Sequence, residues 1–370
     1  MKMMREINKF YLFALLFTIS ITALQAQTDT ISPKRLSLKG KVKKIEDFSY
    51  FLEANPKGKR TIDGKRYNIY PFVEDWNIEK NESKYTKTNV SYEFDRTGKN
   101  TNSVTYYAEG NPFGEVNFVY DLGGKLIKSQ TNFKVSDGDF IVNKQYVYDD
   151  KKRLVKIDEH EGDQLLKSIA FTYDDLGNCI GRSKKIGKFL SLEDEMQSLE
   201  KQEQTLGQVR MEYIKKETYK YNKARKVTFS EESFPERKVF LRTENEYNKK
   251  NKLVKAKFLN EENEETICSY NYDEMGRLVQ TVCTAKDNSD FYLEMNVLYK
   301  PSGKVETIKT KTDVISKKVF DENGLLQLHR TPEFDHKYRY SFDRKGNWKE
   351  AVLYENGVPT KIRVRKIEYY

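Results

Sequence analysis

An aromatic residue followed by Asp, with Gly three places after the Asp and an aliphatic residue five places after it, recurs along most of this 370-residue chain. Tyr120-Asp121 leads to Gly124 and Leu126, Tyr272-Asp273 to Gly276 and Leu278, and Phe320-Asp321 to Gly324 and Leu326. The anchors stand at 95, 121, 149, 174, 222, 248, 273, 300, 321 and 343, mostly 21 to 28 residues apart, with one interval of 48. Asn222, Asn248 and Lys300 replace the Asp in three copies. Asp or Asn closes a tight turn through its side-chain oxygen, and Gly supplies a positive φ. A type I turn followed by a left-handed residue is a common hairpin closure.

The residue before each anchor is aromatic, and a second ring stands two places earlier at Tyr92, Phe118, Tyr146, Phe171, Tyr219, Tyr270 and Tyr340. A spacing of two puts both rings on one face of a strand and on different faces of a helix. A second turn signal falls between anchors, as at Glu109-Gly110-Asn111, Glu161-Gly162-Asp163 and Glu355-Asn356-Gly357. Two turns per repeat give two strands per repeat, so ten copies predict roughly twenty strands. The expected fold class is all-β: an antiparallel hairpin meander forming an elongated, twisted or curled sheet, with one inserted helix.

These residues resemble the YD repeat, also called the RHS-type repeat. The string YNYDEMGRLVQTV, Tyr270 to Val282, is close to its ideal form, and the likeness covers residues 91–370. The resemblance implies antiparallel strands coiled into sheets or shells. It points to small exported members of Bacteroidetes type, because the chain is short and lacks the proline-bearing motif that ends the large toxin-enclosing shells. Carbohydrate binding is a property attached to such repeats.

The first 26 residues have the grammar of a secretory signal peptide. Lys2, Arg5 and Lys9 precede an apolar stretch from Phe10 to Leu24, and the small Ala26 suits a cleavage site. The expected location is periplasmic or extracellular. Past residue 30 no apolar run reaches the ~18 residues of a spanning helix. A lipid-facing barrel is disfavoured too, because the last strand carries Lys366 and Glu368 on one face and Arg365 on the other. Residues 27–90 read as a divergent N-terminal β cap, and 91–370 as the repeat domain. The long interval holds an insertion at about 187–215. Within it Ser191-Leu192-Glu193-Asp194 has the form of a capping box, predicting a helix from Leu192 to about Gln204.

The net charge is +10, with Lys and Arg interleaved among Asp and Glu. Export makes nucleic acid an unexpected partner, and anionic envelope polymers suit the positive field better. Three cysteines are too few for a disulfide scaffold. Cys268 and Cys283 flank one hairpin. If Tyr272 pairs with Val279 they lie directly opposite and can bond; if Asp273 pairs with Arg277 they point to opposite faces. Cys179 occupies an aliphatic place of the repeat and reads as a buried thiol. His160, His329 and His336 follow no ligand spacing. No nucleophile elbow, phosphate loop, zinc-protease or calcium-loop string occurs in the chain. No catalytic residue, metal or cofactor is expected.

The rows of rings have two readings. They form the core of a sheet poor in Ile and Leu, or they line an open surface and stack on sugars. The functional expectation is a non-enzymatic binding or scaffold surface for glycan or cell-envelope partners. The alternative is a protein-binding accessory or immunity-like factor that works through a sheet edge or the helical insertion.

Overall fold

The computed structural model describes residues 30–72, 89–135, 138–188, 210–234, 239–262, 264–286 and 290–370. The expected signal peptide, 1–26, and the expected helix, 192–204, lie outside them. Every described element of regular structure is a strand, β1 (Val42–Ala54) through β24 (Val358–Tyr369). The ends of the expected insertion are themselves strand. Residues 187 and 188 finish β11 (Cys179–Lys188), and 210–215 begin β12 (Arg210–Tyr221).

Each anchor sits at a hairpin corner. Asp273 joins β16 (Glu265–Tyr272) to β17 (Leu278–Ala285). Its carbonyl accepts the Gly276 N–H at 2.8 Å, and its own N–H donates to the Arg277 carbonyl at 2.9 Å. Its Oδ1 accepts the Arg277 N–H at 2.7 Å. Asp95, Asp149, Asp174, Asn222, Asn248, Asp321 and Asp343 take the same N–H four residues on. The third place after the anchor is left-handed, with φ of 76° at Gly276. The copies lacking Gly keep this conformation: φ is 65° at Lys152, 57° at Arg225 and 56° at Asn251. Lys300 departs from the pattern and pairs directly with Gly303. A Cβ on Gly303 would stand 2.0 Å from the Phe320 carbonyl oxygen, so close backbone approach explains that glycine.

The chain forms two compact units: a central one from Lys144 to Glu265, and a terminal one built of Thr30–Asn143 and Thr266–Tyr370. In the central unit β9 (Leu154–Glu161), β10 (Gln164–Tyr173), β11, β12, β13 (Val227–Phe234), β14 (Val239–Tyr247) and β15 (Leu253–Leu259) pair antiparallel in chain order.

In the terminal unit the antiparallel order does not end at either terminus of the described chain. β24 pairs with β1 from Phe51↔Lys361 to Val42↔Tyr369, and β1 pairs with β4 (Val90–Phe94) from Asp47↔Val90 to Lys44↔Glu93. The first and last strands are thus hydrogen-bonded neighbours. This barrel-type closure corrects the expectation of an open, elongated or curled meander; the described elements are all strand, and the expected inserted helix falls outside the described residues. The physical reason is that a terminal strand left unpaired exposes a row of backbone N–H and C=O groups, and here each end of the meander covers the other.

Residues 30–72 fit this closure. Leu36, Val42, Ile45 and Phe94 form a buried cluster, with Ile31, Tyr92, Ile367 and Tyr369 packed against it. The hairpin β2 (Arg60–Ile62) and β3 (Lys65–Phe72) lays Ile62 and Tyr67 over Val352, Tyr354 and Ile362. A third cluster holds Phe320, Leu326, Tyr338, Trp348 and Leu353. Each fully buried large side chain contributes ~2–3 kcal/mol.

Candidate functional site

Register assigns the anchor rings a face and a task. In the central unit the Tyr173 hydroxyl donates to the Leu154 carbonyl at 2.6 Å, Tyr221 to Cys179 at 2.6 Å, and Tyr247 to Val227 at 2.8 Å. In the terminal unit Tyr120 donates to Asn100 at 2.7 Å. The acceptor is each time the residue five places after the preceding anchor. The tyrosine of one hairpin therefore ties down the neighbouring hairpin. The place that reads as aliphatic in sequence supplies a carbonyl as well as a side chain.

The second row of rings is divided by burial. In the terminal unit Phe118 and Tyr270 are buried, and Tyr92 and Tyr340 are partly buried. Tyr340 donates to the Leu326 carbonyl at 2.6 Å and packs on the Tyr338–Trp348 cluster. In the central unit Tyr146 is buried, while Phe171 and Tyr219 are partly buried.

Cys268 and Cys283 are joined by a disulfide. The hairpin combines the two registers that the sequence leaves open. Its turn takes the shorter closure, with Tyr272 opposite Leu278. A bulge then realigns the strands so that Asn271 faces Gln280 and Cys268 faces Cys283. Cys179 is a buried free thiol, and burial pushes its pKa up.

The histidines do not converge on a ligand set, and among the described residues no group of three metal-ligating side chains occurs. His160 lies in β9 opposite Leu165. His329 on β21 (Leu326–Arg330) faces Lys318 on β20 (Val314–Phe320) and His336 on β22 (Asp335–Phe342). Burial, then the positive charges of Lys318 and His336, push the His329 pKa down to about 4.

Two constellations escaped the sequence reading. The first is at the closing seam. Asp47 on β1 accepts two hydrogen bonds from Arg363, at 2.6 and 2.8 Å, and two from Arg365, at 3.0 and 2.9 Å. The Arg365 guanidinium stands 3.5 Å from the centroid of the Trp348 ring. All three charged side chains are buried. Burial alone would raise the Asp47 pKa, but Arg363 and Arg365 outweigh it and hold the carboxyl below the usual range. The signal was the Arg-x-Arg spacing between Ile362, Val364 and Ile367 of the last strand; its acid lies more than three hundred residues away.

The second constellation is in the central unit, on the face that carries the rings. Direct opposition across β9 to β13 places Glu159 beside Lys167, Phe171 beside Arg182, Arg182 beside Glu217, and Glu217 beside Glu232. Arg182 reaches Glu217 at 3.0 Å. Lys215 bridges Glu217 at 2.7 Å and Glu232 at 2.8 Å. The Tyr219 hydroxyl donates to Glu217 at 2.9 Å. Burial first, and then the Glu217 charge, raise the Tyr219 pKa, so this hydroxyl stays protonated as a donor. The result is two partly buried rings beside a strip of held donors and acceptors, a combination suited to polyhydroxylated ligands with one apolar face.

No family model matches the chain, and no curated protein matches it. Among solved structures it is similar to TcdB2-TccC3-TEV, with a TM-score of 0.30 and 13% identity over 74% of this chain and 17% of that chain. It is similar to TcdB2-TccC3 at a TM-score of 0.30 and 12% identity, covering 80% of this chain and 19% of that one. A porin-like protein from Bacteroides uniformis aligns with a TM-score of 0.29 and 10% identity, over 65% of this chain and 96% of that one. The chain spans under a fifth of the length of the TcdB2-TccC3 chains that it matches. At such TM-scores these likenesses bear on neither activity nor partner.

Proposed function

We propose that the chain is a small exported YD-repeat protein whose ring-bearing face is a non-enzymatic binding surface for glycans of the cell envelope. The observation that carries this reading is the central-unit strip. Phe171 and Tyr219 are only partly buried there, and they stand among side chains whose positions are fixed by ion pairs. A pyranose ring offers an apolar face to an aromatic ring and hydroxyls to neighbouring carboxylates and cations. A rigid strand scaffold lowers the ordering cost of such a site. Addition of a partner strand at β1 or β24 is disfavoured because these two strands already pair with each other.

The test is calorimetric titration of the full chain with a panel of envelope polysaccharides. Binding of at least one polymer is expected, with Phe171→Ala and Tyr219→Ala each weakening it about tenfold while the thermal unfolding midpoint confirms a folded protein. Failure to bind any polymer, or hydrolysis of one, would overturn the reading.

A further inference from the structure

Lys184 is the cation that the central strip does not neutralise. It stands on β11, directly opposite Ile169 of β10 and Lys215 of β12. Like charges facing each other across an antiparallel pair are destabilising. Among the described residues, the three acids of the strip, Glu159, Glu217 and Glu232, are already taken. Glu159 is bound by Lys167 at 3.1 Å and Lys144 at 3.7 Å. Glu217 is shared by Arg182 and Lys215, and Glu232 is held by Lys215. Among the described residues Lys184 has no ion pair. Burial, together with the charges of Lys167, Arg182 and Lys215, lowers its pKa despite the nearby Glu159. The sheet thus holds a partly desolvated ammonium among other cations, with its neighbours fixed in place.

We propose that Lys184 receives an oxyanion, and that the ligand is an acidic polysaccharide carrying uronate carboxylates or sulfate esters. This refinement rests on the glycan reading above. An arriving oxyanion relieves the Lys184–Lys215 repulsion and accepts from the Lys184 ammonium the charge-assisted hydrogen bonds that no described carboxylate accepts. A polymer suits the site better than a free anion, because Phe171 lies on the same strand face as Ile169, two residues along β10. A sugar whose acid group meets Lys184 can lay its ring toward that aromatic side chain.

The experiment titrates the full chain with polygalacturonate, dextran sulfate, uncharged dextran and inorganic sulfate, and repeats the series with Lys184→Gln and the control Lys366→Gln. Lys366 is exposed on β24 of the other unit, so it reports the effect of overall charge. At least one acidic polymer is expected to bind ten times or more tightly than dextran. Lys184→Gln should weaken it tenfold or more, the scale of one charge-assisted hydrogen bond, and Lys366→Gln should leave it within twofold. Equal binding of dextran and the acidic polymers, with the Phe171→Ala loss intact, would overturn the Lys184 assignment and leave the glycan reading standing. Binding of inorganic sulfate without either acidic polymer, or equal losses in the two Lys variants, would also overturn it. Absence of all polymer binding would overturn both proposals.

Discussion

Asp47 on the first strand and Arg363 on the last lie 316 positions apart and share two hydrogen bonds, of 2.6 and 2.8 Å, with both side chains sealed from solvent. Arg365 adds a second guanidinium to the same carboxylate. Replacing Asp47 with Asn leaves two buried guanidiniums without their counter-charge. Breaking a buried ion cluster from one side costs ~3–5 kcal/mol. Urea unfolding of Asp47→Asn should show a loss of that size. A loss below ~1 kcal/mol would mean that the seam is wet or frayed.

The hairpin corners can be tested through the copies that violate their own rule. Arg225 has a φ of 57° at the place where most copies have Gly. A left-handed residue with a Cβ costs ~1–2 kcal/mol, part of which Gly gives back through a more flexible unfolded chain. Arg225→Gly should therefore stabilise the protein by ~0.5–1 kcal/mol. Gly276→Ala, at a φ of 76°, should destabilise it by a similar amount. Opposite signs at matched places would show that the repeat is a conformational code.

Acidification should destabilise the protein in two stages. His329 titrates near 6.5 when unfolded and at about 4 when folded. Between those values the unfolded chain binds the extra proton, so stability falls as pH drops from about 6.5 to about 4. His329→Gln should flatten this limb. The corner carboxylates Asp95, Asp149, Asp174 and Asp343 have folded pKa values below 3.8. For Asp149 the Arg153 N–H is the main cause, and for Asp174 the Asn178 side chain; for Asp95 and Asp343 hydrogen bonds outweigh burial. Their contribution is present above pH 3.8 and is lost only as pH falls below it. Thermal midpoints measured from pH 7.5 to 3 separate the two stages.

The corners were legible because they are local. The anchor oxygen, the left-handed residue and the aromatic before them lie within five positions, and turn chemistry fixes their meaning. The Cys268–Cys283 pairing was legible only as a choice of registers, because it depends on a bulge that no residue type announces. The role of the rings needed the neighbouring strand: Tyr173 and Leu154 are remote in sequence, and only register puts hydroxyl against carbonyl. Closure was invisible for the same reason on a larger scale. Residues 27–90 read as a divergent cap, and nothing local says that Ile45 will face Ile367. The strip around Lys184 was hidden by alternation, since charges that look evenly mixed along the chain become unevenly paired once every second residue is gathered on one face.

Hydrogen exchange on the folded protein, resolved by strand, tests the closing seam without any mutation. Amides of β1 and β24 that take part in the β1–β24 ladder should exchange as slowly as those of the interior pair β22–β23 (Asp335–Phe342 and Trp348–Glu355). Fast exchange along β24 with protection rising strand by strand away from it would mark an open edge, and would contradict the pairing of β1 with β24.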